Sequence, residues 1–456
     1  MADDDLRQLL DRLAAENELR RIGIPVDPHL ELLEIASRVA RLDHGPALLF
    51  ERVGESTLPV VTNLFATPAR CARILGADNM DEAVQRFDKR LALVSNLKSL
   101  NPFTSRLVNK APWQETSLLG TLSQELPFLT RFPEDGAMGK DPSSLTLAVT
   151  VTKGPAGDVN WGVYRVTCKG SNRLCLHWHG GSGGHLHWQQ WQELDQPMPV
   201  ALFLGGDPLL TLAAAFSPPP DMDEPTIAGV LAGEALELTP CRLVPLTVPR
   251  SADLVLEGWL APGDLALSGP FGNYSGFYGA PRQVPVMTVV AASRRPDAVV
   301  PAMAIGPPPT ESSRFAEVLE RLYLPVLRQS IPEVVDLQTP AEWLLHGCAL
   351  LAIRKERAGQ GTEVLHRLRQ LPRYRRAPLL LVVDGDQSLA DRSAIAARAM
   401  AVLAQRRGTA DSEGGLNLDA TLPWIGEAGV TSQPRVVTMT EELSVLVTGR
   451  WQEYGL

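Results

Sequence analysis

Four of the chain's eight histidines fall within eleven residues, in Leu176-His-Trp-His-Gly-Gly-Ser-Gly-Gly-His-Leu-His187. Neutral imidazole is a common metal ligand, and glycine lets a backbone close tightly on a bound group. His177 and His179 are two apart, which on a strand points both to one face; His185 and His187 repeat the spacing after the glycine-rich turn. Spacing alone leaves two readings open. One is a ligand-binding cluster, the other a half-exposed strand with polar histidines beside a flexible turn. Just upstream, Asn160-Trp-Gly-Val-Tyr-Arg165 reads as a strand ending in an arginine.

In the elements that hold these residues, the pattern changes twice along the chain. Leu6, Leu9, Leu10 and Leu13 share one helical face, and a second helix runs through Leu32, Ile35 and Val39. Ala47 to Phe50 and Leu58 to Val61 read as short buried strands, followed by a helix from about Pro68 to Ser95. From about 115, strands prevail between Gly and Pro turns: Leu145 to Thr152, Val159 to Thr167, Leu174 to Trp178 and Val286 to Ala291. Short helices are expected at Gln189 to Asp195 and Thr226 to Gly233. After Pro308 an α/β pattern returns. Ser312 to Leu322 is helical, with Phe315, Val318, Leu319 and Leu322 on one side; Ala349 to Ile353 and Leu379 to Val383 are strands. Asp391 to Arg407 is a helix with Ile395, Ala399, Val402 and Leu403 inward, and Asp411 to Gly415 a loop. The expected organisation is an N-terminal α/β domain (1–114), a central β-barrel (115–305), a C-terminal α/β domain (306–430) and a tail (431–456).

With 456 residues, 45% apolar and 21% charged, the chain has the balance of a soluble globular protein. A net charge of −9 argues against a nucleic-acid binder while leaving room for a local basic pocket. Five scattered cysteines, odd in number and without a CxxC pair, read as reduced thiols of a cytoplasmic protein. The N-terminus MADDDLRQLL is acidic where a secretory signal is basic, and no apolar run reaches the ~18 residues of a membrane span.

Several segments, in order, resemble the UbiD decarboxylase family. Asn160-Trp-Gly-Val-Tyr-Arg165 is similar to its signature strand, and Asp223-Glu-Pro-Thr-Ile-Ala-Gly229 to its acidic segment. Val255-Leu-Glu-Gly258 and Gly269-Pro-Phe-Gly-Asn-Tyr-Ser-Gly-Phe-Tyr278 resemble its paired motifs VLEG and EGPFGE-x-x-G-x-Y. Ile353 to Gln360, Val382 to Asp386 and Leu418 to Thr421 match later segments, and Leu6 through Phe50 matches the opening. The resemblance implies an α/β chain with a central flavin-reductase-like split barrel. It also implies a prenylated FMN (or FMN) held through its phosphate by a divalent metal, usually Mn2+, with K+ nearby. It assigns Asn160, His185 and Glu224 as metal ligands; an amide oxygen, an imidazole and a carboxylate suit a cation that also takes phosphate oxygens. Gly162, Val163, Arg165 and Gly184 would line the cofactor. Arg165 would hold the carboxylate of a small acid substrate by its guanidinium fork. A flavin prenyltransferase would supply the cofactor, and the tail at 431–456 would contact a second subunit in a homodimer or larger homo-oligomer.

The family pattern breaks at the acids. Two glutamates flank the Gly-Pro-Phe-Gly turn in the family, one positioning the arginine and one protonating the carbon that loses CO2. Here those positions are Ser268 and Asn273. Pro378 falls where a lysine is expected, and the loop Glu134 to Gly139 matches only loosely. General acid catalysis is worth about 10²–10⁴-fold. Its loss leaves three readings: a decarboxylase with another proton source such as Tyr274, Tyr278 or water; a flavin- and metal-binding subunit that has lost or changed the activity and works with a partner; or a flavin-free metalloenzyme using His177, His179, His185 and His187. Glu257 is a further acid that either reaches the pocket or serves its own strand.

Overall fold

The computed structural model describes residues 6–97, 101–118, 120–139, 143–219, 222–340, 348–371, 373–404, 409–410, 415–424 and 440–454. The chain divides into two compact units: Met1–Pro332 with Leu337–Ala349, and Glu333–Asp336 with Leu350–Leu456.

At the centre of the first unit is a closed six-strand antiparallel barrel. Its strands, in order around the barrel, are Leu254–Ser268, Met198–Leu204, Ser144–Lys153, Val159–Cys168, Arg173–Leu176 and Arg282–Arg294; pairing of the last with the first closes it. The interior is built from Ala148, Val166, Leu176, Val200, Leu202, Leu256 and Met287, all fully buried. Leu254–Ser268 is long enough to bend because its register shifts at Glu257/Gly258 and again between Leu260 and Leu265. Gly258 is obligatory at the first shift, since a Cβ there would stand 2.2 Å from the Thr288 carbonyl oxygen.

Beside the barrel, a four-stranded sheet runs in the order Leu19–Ile22, Ala47–Phe50, Val60–Thr62 and Val300–Pro301. The fourth strand comes from beyond the barrel, so the chain returns to the sheet it began. The helix Glu311–Ser330 then packs on the Met80–Leu97 and Pro68–Ile74 helices. Its face is the expected one: Phe315, Val318, Leu319 and Leu322 are buried. The N-terminal helix Leu6–Ala15 likewise buries Leu6, Leu9, Leu10 and Leu13.

Glu311 fastens that return. Its carboxylate accepts the N–H groups of Asn63 and Phe65, both at 2.9 Å, from full burial. Burial outweighs these bonds and the nearby Arg70 charge, and pushes the carboxyl up to about 7. The folded state therefore holds a proton that the unfolded chain has released above its ordinary value of 4.5. Stability from this group is full below that value and is lost as pH rises through about 7. Glu311→Gln should flatten the fall of the thermal midpoint over this window. It should also lower the midpoint at pH 5, because one amide oxygen cannot serve two N–H donors, a loss of about 1–3 kcal/mol. An unchanged pH slope would remove Glu311 as its source.

The second unit is built on a five-stranded sheet in the order Val334–Gln338, Cys348–Ile353, Leu379–Asp384, Leu416–Asp419 and Thr409–Ala410, with helices Gln360–Gln370 and Arg392–Ala404. Ile395 and Val402 are buried as expected, but Leu403 is exposed. The expected loop at 411–414 lies outside the described residues, as does 431–439 of the tail. The tail's described part contains the helix Glu441–Gly449, which exposes Leu443, Val445 and Leu446. Among the described residues, no helix is long and apolar enough to cross a membrane.

Candidate active site

Strand Val159–Cys168 organises the site. Alternation puts Asn160, Gly162 and Tyr164 on one face and Val163, Arg165 and Thr167 on the other. Trp161 packs edge-on against Phe203 at 5.1 Å and fixes the strand. Gly162 leaves room for the Tyr164 ring, which a Cβ would meet at 2.3 Å. The Tyr164 hydroxyl lies beside the Ser182 and Asn160 side chains and the Gly184 amide, within the field of Glu224. These groups, from three separate segments, thus converge on one point.

Glu224 opens the helix Glu224–Ala232. Asp223 caps it, accepting the Thr226 N–H at 2.9 Å, and Gly233 closes it in the left-handed conformation. Buried Glu224 accepts the Trp161 N–H at 3.0 Å through Oε2. Burial pushes its carboxyl up to about 7, as for an acid that needs a cation to ionise readily. His185 sits on the helix Gly183–Glu193 with its ring tilted over Trp188 at 5.4 Å. Burial and the Arg282 charge lower its pKa and favour the neutral imidazole that ligates metals.

Amide, hydroxyl and carboxylate groups, the donors that a hard cation takes, meet at this end. Beyond the neighbouring Tyr164 hydroxyl, the buried Asn160 Nδ2 and Ser182 Oγ have no hydrogen-bond partner among the described residues, and Ser182 makes no side-chain cap on the helix Gly183–Glu193. A Cβ on Gly183 would lie 1.9 Å from the Asn160 Oδ1. Gly183→Ala should therefore displace Asn160 or the helix start and lower metal affinity at least tenfold with the thermal midpoint nearly kept; metal titration of the folded variant checks this.

The other end is Arg165. Its Nη2 donates to the Gly272 carbonyl at 3.2 Å, and its guanidinium stacks 4.4 Å over the Phe271 ring. That is its one hydrogen bond among the described residues, although a guanidinium carries five N–H donors. Asp135 is the carboxylate whose charge acts on it; burial lowers the arginine pKa and Asp135 opposes this. Asp135 itself accepts the N–H groups of Gly272 at 2.8 Å and Phe132 at 3.0 Å. The loop 134–139 is sewn to the Gly269-Pro270 turn by Gly136 and Met138 N–H bonds to its carbonyls.

The positions of the missing acids have other tasks. Ser268 is buried, its Oγ 3.2 Å from His177 Nε2 and 3.5 Å from Thr167 Oγ1. His177 Nε2 is also 3.2 Å from Thr167 Oγ1, and its ring meets Phe271 edge-on at 5.0 Å. Burial, then the Arg165 and Arg282 charges, push this imidazole down to about 3, so it is neutral at pH 7. The Asn273 Oδ1 accepts from the Ser275 N–H and hydroxyl, closing its own turn. The Tyr278 hydroxyl accepts the Glu134 N–H at 3.1 Å. Glu257 accepts the N–H groups of Arg242, Leu243 and Val244 and serves that loop.

The four histidines do not form one cluster. The strand ends at Leu176, and the second pair lies on a helix, where residues two apart point to nearly opposite sides. His187 is buried, with Nδ1 2.9 Å from Thr152 Oγ1 and Nε2 2.7 Å from Asp158 Oδ2; it fastens the helix. Among the described residues, no three His, Cys, Asp or Glu side chains are placed to hold a metal ion. The flavin-free metalloenzyme loses its basis here. The helix was expected from Gln189 but starts at Gly183, because packing against Asn160 and Trp178 overrides the low helix propensity of paired glycines.

Three family domains match the chain in order: the 3-octaprenyl-4-hydroxybenzoate carboxy-lyase N-terminal domain over 10–89, its Rift-related domain over 106–308 and its C-terminal domain over 313–411. The chain belongs to the UbiD family. Solved UbiD-class structures share the fold over nearly the full length of both chains. Sedimentibacter hydroxybenzoicus vanillic acid decarboxylase in closed form is 21% identical, with a TM-score of 0.85 over 99% of this chain and 98% of the other. An evolved dimeric form of the UbiD-class enzyme HmfF from Pelotomaculum thermopropionicum, in complex with prFMN, is 24% identical, with a TM-score of 0.80 over 97% and 98%. Klebsiella pneumoniae 3,4-dihydroxybenzoic acid decarboxylase (AroY) is 20% identical, with a TM-score of 0.75 over 97% and 99%.

Sequence reasoning missed three residues of this UbiD-family site. Tyr164 was legible, since it alternates with Asn160 and Gly162 on one face. Asp135 comes to the Arg165 end by loop docking, and Arg282 stands opposite Ser268 by cross-strand pairing, neither of which periodicity reports.

Proposed function

We propose that the chain is a prenylated-FMN-dependent carboxy-lyase acting, reversibly, on an aromatic or α,β-unsaturated carboxylic acid. The observation that carries this is Arg165: a half-buried guanidinium with one backbone hydrogen bond and no ion-paired carboxylate among the described residues. Asn160, His185 and Glu224 hold a divalent metal, Mn2+ with K+ alongside, and through it the cofactor phosphate. Gly162, Val163 and Gly184 line the cofactor. When bound, prenylated FMN supplies the electron sink for the carbon that loses CO2. Arg165 orients the carboxylate against it. Ser268 and Asn273 cannot protonate that carbon as glutamates would; Tyr274, or water at the Ser268–His177–Thr167 group, provides the proton.

A second reading, a flavin- and metal-binding subunit without decarboxylase activity, is favoured by that same loss of both acids. The exposed apolar residues of the Glu441–Gly449 helix support a homo-oligomer contact through the tail. Co-expression with a flavin prenyltransferase, followed by mass spectrometry, metal analysis and an absorbance spectrum, tests the proposal. It expects stoichiometric prenylated flavin and one divalent metal per chain; protein with zinc and no flavin would overturn it.

A further inference from the structure

Arg282 begins strand Arg282–Arg294 and lies directly opposite Ser268 in the antiparallel ladder. Residues directly opposite share a face, so its side chain rises on the side where Ser268 meets His177 and Thr167. Its charge acts on Arg165 and on His177, the imidazole that meets Ser268. It has no ion pair or hydrogen bond among the described residues, and neither does Arg165 have an ion pair. Two guanidiniums within each other's field repel, and Asp135 is already committed to two backbone N–H groups. With Ser268 and Asn273 in place of acids, this end of the site has more positive charge than one carboxylate neutralises.

We propose that Arg282 is a second anion-binding residue and that the substrate carries a second negative charge, its class being an aromatic or unsaturated dicarboxylate. One carboxylate takes Arg165 and the other takes Arg282, so the substrate supplies the negative charge that the chain lacks. This rests on the decarboxylase reading above. A flavin phosphate shares the anionic chemistry, and the experiment separates the two sources.

Terephthalate and 4-methylbenzoate, alike in size, are titrated calorimetrically into protein loaded with FMN and Mn2+. The wild type should bind the dicarboxylate about fivefold more tightly, the upper end for an ion pair open to solvent. In Arg282→Gln the ratio of affinities should fall to near one, and Arg282→Lys should restore part of it. Equal affinities in the wild type, or an unchanged ratio in Arg282→Gln, overturn the proposal. So does loss of FMN from Arg282→Gln with the ratio kept, which assigns the residue to the phosphate. If FMN-loaded wild type binds neither acid, or if Arg165→Met leaves both affinities intact, the carboxylate-site reading fails as well. Arg282 is exposed, so the variants should fold; circular dichroism verifies this.

Discussion

His185→Ala and Glu224→Gln should each yield folded protein that purifies with less than a tenth of the wild-type metal and flavin. In the proposed site metal and phosphate bind as one unit: removing a ligand would weaken the ion, and with it the attachment of the cofactor's most charged group. Glutamine is the informative change at Glu224. Its amide oxygen can still accept the Trp161 N–H, now received by Oε2 at 3.0 Å, so the strand and helix keep their junction while the charge is lost. His185 is half-exposed on the helix surface, so its truncation should cost little stability. Metal analysis and the flavin absorbance of protein purified in parallel check both variants. Full occupancy in both would place the cation elsewhere. The same logic predicts that chelator dialysis releases flavin from the wild type.

Arg165→Lys should lower kcat/KM for the acid by about 10²–10³-fold while leaving flavin content near that of the wild type. Lysine keeps the charge but not the planar fork that grips two carboxylate oxygens, and a bidentate charged pair is the stronger kind of hydrogen bond. It also gives up the guanidinium's stacking over Phe271, 4.4 Å away. Orientation, not only affinity, should suffer, so kcat should fall together with a rise in KM. A flavin loss equal to the activity loss would make Arg165 a cofactor residue.

Local pattern made much of this architecture legible. The leucine face of Leu6–Ala15, the Val159–Cys168 strand with its motif and the capped helix at Glu224 follow from spacing and end signals. What was not legible is non-local or irregular. Leu254–Ser268 contains Pro262 and Gly263, which break its apolar run, yet register shifts carry one strand through them. The Val60–Thr62 strand pairs with Val300–Pro301, far along the chain, which no local periodicity announces. In the site, the histidine spacing suggested two equivalent pairs, but one lies just past a strand end and the other on a helix. Asn273 looked like a weakened copy of an acid; its side chain instead closes a turn with Ser275. Ser268 has become part of a neutral hydroxyl–imidazole group whose histidine the sequence offered as a metal ligand or as a polar residue of a half-exposed strand.

In the proposed function this site breaks the bond to CO2 on an acid held by Arg165, while lacking the carboxylic acids that would protonate the carbon left behind. Cleavage and protonation are separable by isotope. Protein loaded with prenylated flavin and metal is incubated with labelled bicarbonate and a panel of aromatic and unsaturated mono- and dicarboxylic acids. Label entering the carboxyl group reports cleavage and its reversal, and the decarboxylated product reports proton delivery. Label entry should be faster than product formation for at least one acid. Ser268→Glu combined with Asn273→Glu should shift the balance toward product. Neither label entry nor product from any acid, with flavin and metal fully in place, would contradict it.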